Sequence, residues 1–180
     1  DPIAGICVRL FAPDGGNPAD DSCTGADGRY AVDVPAGSYT VRFRSGDGKW
    51  VSEWHQNALR EADADPVAVD AGATVRVNAG LKRAGKITGR LVDPVTDAPL
   101  PNLCVTPVDP ATLQPIESGL GGCADAEGRY TISGLPAGKV LLRTPGDHNL
   151  RPEAWAPGVL TADTAKKYVI VSAETTHAGR

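Results

Sequence analysis

The chain has 180 residues, a formal net charge of −4 from 18 basic and 22 acidic side chains, and no methionine. That balance leaves no basic footprint for nucleic acid, and no apolar run approaches the roughly 18 residues of a membrane span. The 21 glycines and 15 prolines fall mostly between alternating apolar runs, a pattern of short strands and many turns.

Residues 3–11 open as a strand, with Ile6, Val8 and Leu10 facing one way and Cys7, Arg9 and Phe11 the other. A loop over 12–21 returns the chain to Cys23. Asp27-Gly28 makes a tight turn in which Gly supplies the positive φ. Tyr30, Val32 and Val34 then alternate with Ala31 and Asp33, which predicts a strand with one face toward a core. Pro35-Ala36-Gly37 reverses the chain into a further strand, where Tyr39, Val41 and Phe43 point inward. A turn at 45–48 leads into an aromatic stretch holding Trp50 and Trp54. Residues 58–64 suit a short helical turn, and Val67 with Val69, then Val75 with Val77, mark two last strands.

The same order then recurs. Residues 85–93 form a strand with Ile87, Gly89 and Leu91 inward, and Leu103-Cys104-Val105 matches Ile6-Cys7-Val8. The stretch 126–138 repeats 26–37, Val140 and Leu142 take the places of Tyr39 and Val41, and Trp155 matches Trp54. Tyr168–Val171 is matched with Thr74–Val77. A repeat of about 95 residues divides the chain into two units, 1–84 and 85–180. The first unit has no counterpart of strand 86–92. The start of the chain matches Pro99, and Ala178-Gly179-Arg180 matches Ala84-Gly85-Lys86, as in a segment of a longer tandem array. A second parse gives strand 86–92 to the first unit. On the first parse, the first unit is expected to carry an open sheet edge.

Four cysteines fall at matching points, Cys7 with Cys23 and Cys104 with Cys123. Four cysteines allow three pairings, and the repetition selects a bond inside each copy, the pattern both copies can share. Neither CxxC spacing nor clustered histidine points to a metal. Disulfides imply an oxidising compartment, hence secretion or the cell surface.

Gly28-Arg29-Tyr30 and Gly128-Arg129-Tyr130 are each followed by an alternating strand, a Pro-Ala-Gly turn and another strand. These stretches resemble the carboxypeptidase regulatory-like domain, a transthyretin-like β-sandwich of secreted and cell-surface bacterial proteins. The first copy lacks the family's Gly before Val34-Pro35, and the second has Val140 where the family usually has Tyr. The resemblance implies an all-β chain of two tandem antiparallel β-sandwich domains, transthyretin-like or Ig-like, with one disulfide in each. It says little about function.

For function, the residues point away from chemistry. His55, His148 and His177 are scattered, without HExxH or GxSxG, so no catalytic residue and no reaction are assigned. Asp14, Asp20, Asp21, Asp27, Glu61, Asp63 and Asp65 match no calcium loop and read as solvated charges. No cofactor, metal, nucleic acid or membrane insertion is expected. Trp50, Trp54 and Trp155, with Asn57 and Gln56 nearby, are the candidate ligand-binding residues, since indoles stack on sugar rings. Trp54 and Trp155 recur at matched places, as packing residues do. The expected function is a non-catalytic extracellular structural, spacer or protein-interaction module of a larger protein, its partners being neighbouring domains of the same polypeptide or a surface protein. The alternative is a carbohydrate-binding accessory module of a secreted glycan-active or proteolytic enzyme, with a polysaccharide as partner.

Overall fold

The computed structural model describes residues 1–13, 20–117, 119–145, 153–158 and 162–179. The chain is all-β, built from antiparallel sheets with short 3-10 turns, and its internal contacts separate it into two compact units, Asp1–Lys82 and Arg83–Arg180.

In unit 1 the strands are β1 (Ile6–Phe11), β2 (Asp20–Cys23), β3 (Gly37–Ser45), β4 (Glu53–Trp54) and β5 (Val67–Val69). They form one sheet in the order β2-β1-β3-β4, with β5 pairing the early part of β3. β3 is the longest because it carries three inward residues, Tyr39, Val41 and Phe43, in strict alternation; all three are buried with Ile6, Val8 and Leu10 of β1. The expected strand over 30–34 does not form, and neither does the one at 75–77: both stretches run without ladder pairing across the buried face of this sheet. Tyr30, Val32, Val34 and Val77 still pack on the core, but only half-buried. The periodicity was sufficient to aim the side chains. Ladder hydrogen bonds need a partner strand, and no described segment supplies one.

Unit 2 contains β6 (Gly85–Arg90), β7 (Cys104–Val108), β8 (Gly122–Cys123), β9 (Arg129–Leu135), β10 (Gly138–Thr144), β11 (Ala154–Trp155), β12 (Tyr168–Ile170) and β13 (Thr175–Gly179). Five of them repeat the sheet of unit 1, in the order β11-β10-β7-β8 with β12 on β10. The other three form a second sheet, β13-β6-β9. β13 runs parallel to β6, an exception to the antiparallel expectation: the chain leaves β12 through a turn at Ala173 and enters the other sheet alongside β6. Ile87, Tyr130 and Ile132 from the three-stranded sheet meet Val105, Val140, Leu142, Tyr168 and Ile170 from the five-stranded one, forming a core between two layers.

The register corrects one equivalence. β12 pairs β10 at Val140 as β5 pairs β3 at Tyr39, so Tyr168–Ile170 corresponds to Val67–Val69, not to Thr74–Val77. The left-handed residues Gly72 and Ala173 then coincide, and β13 corresponds to 74–78. Elsewhere the repeat holds closely. The Gly28 and Gly128 turns close with the same pair of backbone hydrogen bonds, from Gly25 to Arg29 and from Asp125 to Arg129. Each turn glycine also lies against a Pro-apolar step, Pro2-Ile3 or Pro99-Leu100.

Candidate functional site

The disulfides join Cys7 to Cys23 and Cys104 to Cys123. In each unit the two cysteines are direct neighbours across an antiparallel pair, β1 with β2 and β7 with β8. The bond therefore pins a long loop to the strand it left.

The tryptophans occupy two kinds of place. Trp54 on β4 is 7% exposed and Trp155 on β11 is 6% exposed. Trp54 pairs with Arg42 of β3, whose guanidinium lies 5.6 Å from the ring centroid; Trp155 pairs with Arg143 of β10, at 5.8 Å. Each indole is thus covered by a cation from the neighbouring strand, with Phe11 against Trp54 at 5.3 Å between centroids. Neither ring offers a free face for a sugar to stack on. Trp50 is half-buried against the unit 1 core. Asn57 is exposed in the 3-10 turn His55–Asn57, in a left-handed conformation shared with Gln56. Of the four candidate residues only Asn57 is exposed; Trp54 and Trp155 are buried and Trp50 is half-buried.

His55 is half-buried, exposed His177 shares a 2.9 Å hydrogen bond with the Thr88 hydroxyl, and His148 lies outside the described residues. Among the described residues no three His, Cys, Asp or Glu side chains gather as a metal site. The acidic residues serve their own loops. Asp21 pairs with Arg9, Asp63 with Arg60, Glu61 accepts from the Thr40 hydroxyl, and Asp27 accepts from the Arg29 amide; Asp14 lies outside the described residues. Asp47 accepts from the Lys49 amide and ammonium and from the Ser45 hydroxyl, which holds its carboxyl down at about 2. Glu53 is the opposite case: buried on β4, its carboxyl is pushed up by desolvation, with Lys82 partly opposing.

The feature that sequence reasoning located only by its missing strand is a groove in unit 1. It has a volume of about 720 Å³ and runs between 28–34 and 73–78, with Leu10, Tyr39, Val41, Val67 and Val69 as its floor. Across it the Tyr30 hydroxyl donates to the Val77 carbonyl at 2.7 Å. Burial holds that phenol above its ordinary value, so it remains a donor at all physiological pH.

No protein-family model and no curated protein matches the chain. Among solved structures it is similar to the Bacillus anthracis TIE protein, at 15% identity and a TM-score of 0.40 over 100% of this chain and 31% of that one. It is also similar to GBS52, the minor pilin of Streptococcus agalactiae, at 14% identity and 0.37 over 99% and 82% of the two chains. A streptococcal ancillary pilin follows at 12% and 0.35, over 89% and 57%. The chain thus spans about a third of the first of these proteins. At these values the likeness carries nothing about function. No helix among the described residues is long and apolar enough to cross a membrane.

Proposed function

We propose that the chain is a non-catalytic extracellular module, structural or protein-binding, within a larger secreted or surface protein. On this reading, 1–84 and 85–180 are tandem β-sandwich repeats of the carboxypeptidase regulatory-like type. The observation that carries the reading is the paired staple: the same cross-strand disulfide recurs at the same place in both units. Such bonds persist where the surroundings are oxidising, and small units with modest cores gain most from them. The covered faces of Trp54 and Trp155 give the carbohydrate reading no support.

The test is thiol accounting on intact cells that express the natural protein. An impermeant maleimide should label the chain only after treatment with an impermeant reductant, and then at all four cysteines. Labelling that needs lysis, or free thiols before reduction, would remove the compartment and with it the reading.

A further inference from the structure

We propose that the outer face of the three-stranded sheet β13-β6-β9 binds a linear phosphate polymer. This goes beyond the reading above and stands apart from it: the face can fail to bind while the disulfides and their location hold.

The register builds the face. Gly85 and Ile87 are buried on β6, so Lys86, Thr88 and Arg90 point outward. Lys86 lies between Thr175 of β13 and Ser133 of β9, and Thr88 lies between His177 and Thr131. Arg90 stands directly opposite Arg129. Rows two residues apart are about 6.7 Å from one another and neighbouring strands about 4.8 Å, so the face measures roughly 13 Å by 10 Å. Every side chain in these rows is a cation, a hydroxyl or an imidazole; none is a carboxylate or a large apolar group.

Composition hides this face, because its basic residues come from three strands of a chain whose net charge is −4. Lys86, Arg90 and Arg129 form no ion pair with any described residue. Asp125, in the turn before β9, accepts from the Glu127 and Arg129 amides instead. Like charges directly opposite one another destabilise a sheet. In unit 1 the opposed Arg9 and Arg42 are offset, with Asp21 3.5 Å from Arg9 and the Trp54 ring under Arg42. Arg90 and Arg129 have neither a carboxylate nor a ring, and a polyanion would offset them. Arg90 Nε donates to the Glu127 carbonyl at 2.9 Å, which fixes the guanidinium and leaves its terminal nitrogens without a described partner.

The chemistry selects the ligand. Two guanidinium forks and an ammonium suit anionic oxygens. Phosphate oxygens accept hydroxyl hydrogens more strongly than sulfate oxygens do, so the Thr and Ser positions favour phosphate. The rows carry no aromatic ring on which a base or a sugar would stack, and no apolar anchor of the kind that centres a protein interface.

The experiment is calorimetric titration of the whole chain with long-chain inorganic polyphosphate. We expect saturable binding that weakens with salt, with a log–log slope of roughly −2 for three engaged cations. Lys86→Gln with Arg129→Gln should weaken it at least about tenfold. Both side chains are exposed, so the variant keeps its fold. Lys139→Gln with Lys167→Gln removes the same charge at exposed sites outside the face, and should leave affinity within about twofold. In the unaltered chain, bound polymer should shield Lys86 from acetylation and leave Lys139 open. Absence of saturable binding, an unshielded Lys86, or equal losses in the two double variants overturns the proposal. So does tighter binding, at matched charge, of polyglutamate, dextran sulfate or single-stranded DNA, which would make the occupant an acidic peptide, a sulfated glycan or a nucleic acid.

Discussion

Val32 and Ile132 stand at the same point of the same repeat, yet Ile132 is fully buried and Val32 is half-exposed. The same holds for Val34 against Leu135, for Val67 against Tyr168 and for Val69 against Ile170. The five-stranded sheets of the two units match strand for strand, so the sheet beneath these residues does not explain the contrast. What differs is β6. One six-residue strand supplies Ile87 to the core and ladder partners to both flanks, and with it three separate segments become a second layer. Unit 1 offsets part of the difference with aromatic contacts: Tyr30 meets Phe43 edge-on at 6.1 Å between centroids, and Phe11 meets Trp54. A layer of a sandwich is therefore a cooperative object, and burial of its residues reports the presence of the middle strand.

The largest expected effect separates the units. Ile132→Ala should cost about 3–4 kcal/mol, because a fully buried side chain leaves a cavity its neighbours cannot fill, whereas Val32→Ala should cost about 1 kcal/mol or less. Denaturant unfolding followed by hydrogen exchange in each unit would read both, and equal losses would end the comparison. Next come the staples. Cys7→Ser with Cys23→Ser closes off one bond, and Cys104→Ser with Cys123→Ser the other; sequence separations of 16 and 19 predict nearly equal losses. Each is about 3 kcal/mol in the chain-entropy view. A much larger loss in unit 1 would mean that its open layer leans on the bond.

Gly89→Ala should cost about 1–3 kcal/mol by overpacking against Tyr130. It should also raise exchange at 129–135 and 175–179 toward the rates of 30–34 and 74–78, making unit 2 behave like unit 1. Unchanged exchange there would show that β6 is not what closes the layer. The smallest effect is one of pH. Glu53 is buried in unit 1 where unit 2 has Ala154. Its raised carboxyl favours the protonated form in the folded state, so its contribution is full below the ordinary glutamate value and is lost as pH rises through the raised one. Glu53→Gln should raise the melting temperature of unit 1 at neutral pH by less than about 4 °C and leave it unchanged near pH 4. A gain at both pH values would point to packing rather than charge.

Much of this was legible in the residues. The alternation of Ile6, Val8 and Leu10, and of Tyr39, Val41 and Phe43, located β1 and β3, and the repeat located both disulfides. The stretches 30–34 and 75–77 alternate just as well, but alternation sets which way side chains point, while a strand also needs a neighbour. The mismatch of Tyr168 with Thr74 had another origin: two short valine-rich runs lie close together in unit 1, and only pairing with β3 tells which one is β5. The tryptophan faces were not legible, since the arginines that cover them, Arg42 and Arg143, come from a different strand.

The cross-strand disulfides also set how the chain yields when pulled. A chain stretched from its ends pays out length as its strands peel apart, at about 3.3–3.6 Å per residue. Cys7–Cys23 and Cys104–Cys123 bypass the residues between them, so the enclosed loops cannot be drawn out while the bonds hold. The locked length is roughly 55 Å in unit 1 and roughly 65 Å in unit 2 at that rise. Under tension each unit keeps a closed loop of β1 with β2, or of β7 with β8, after the rest has opened, and a reductant in the surroundings sets how far the chain can extend.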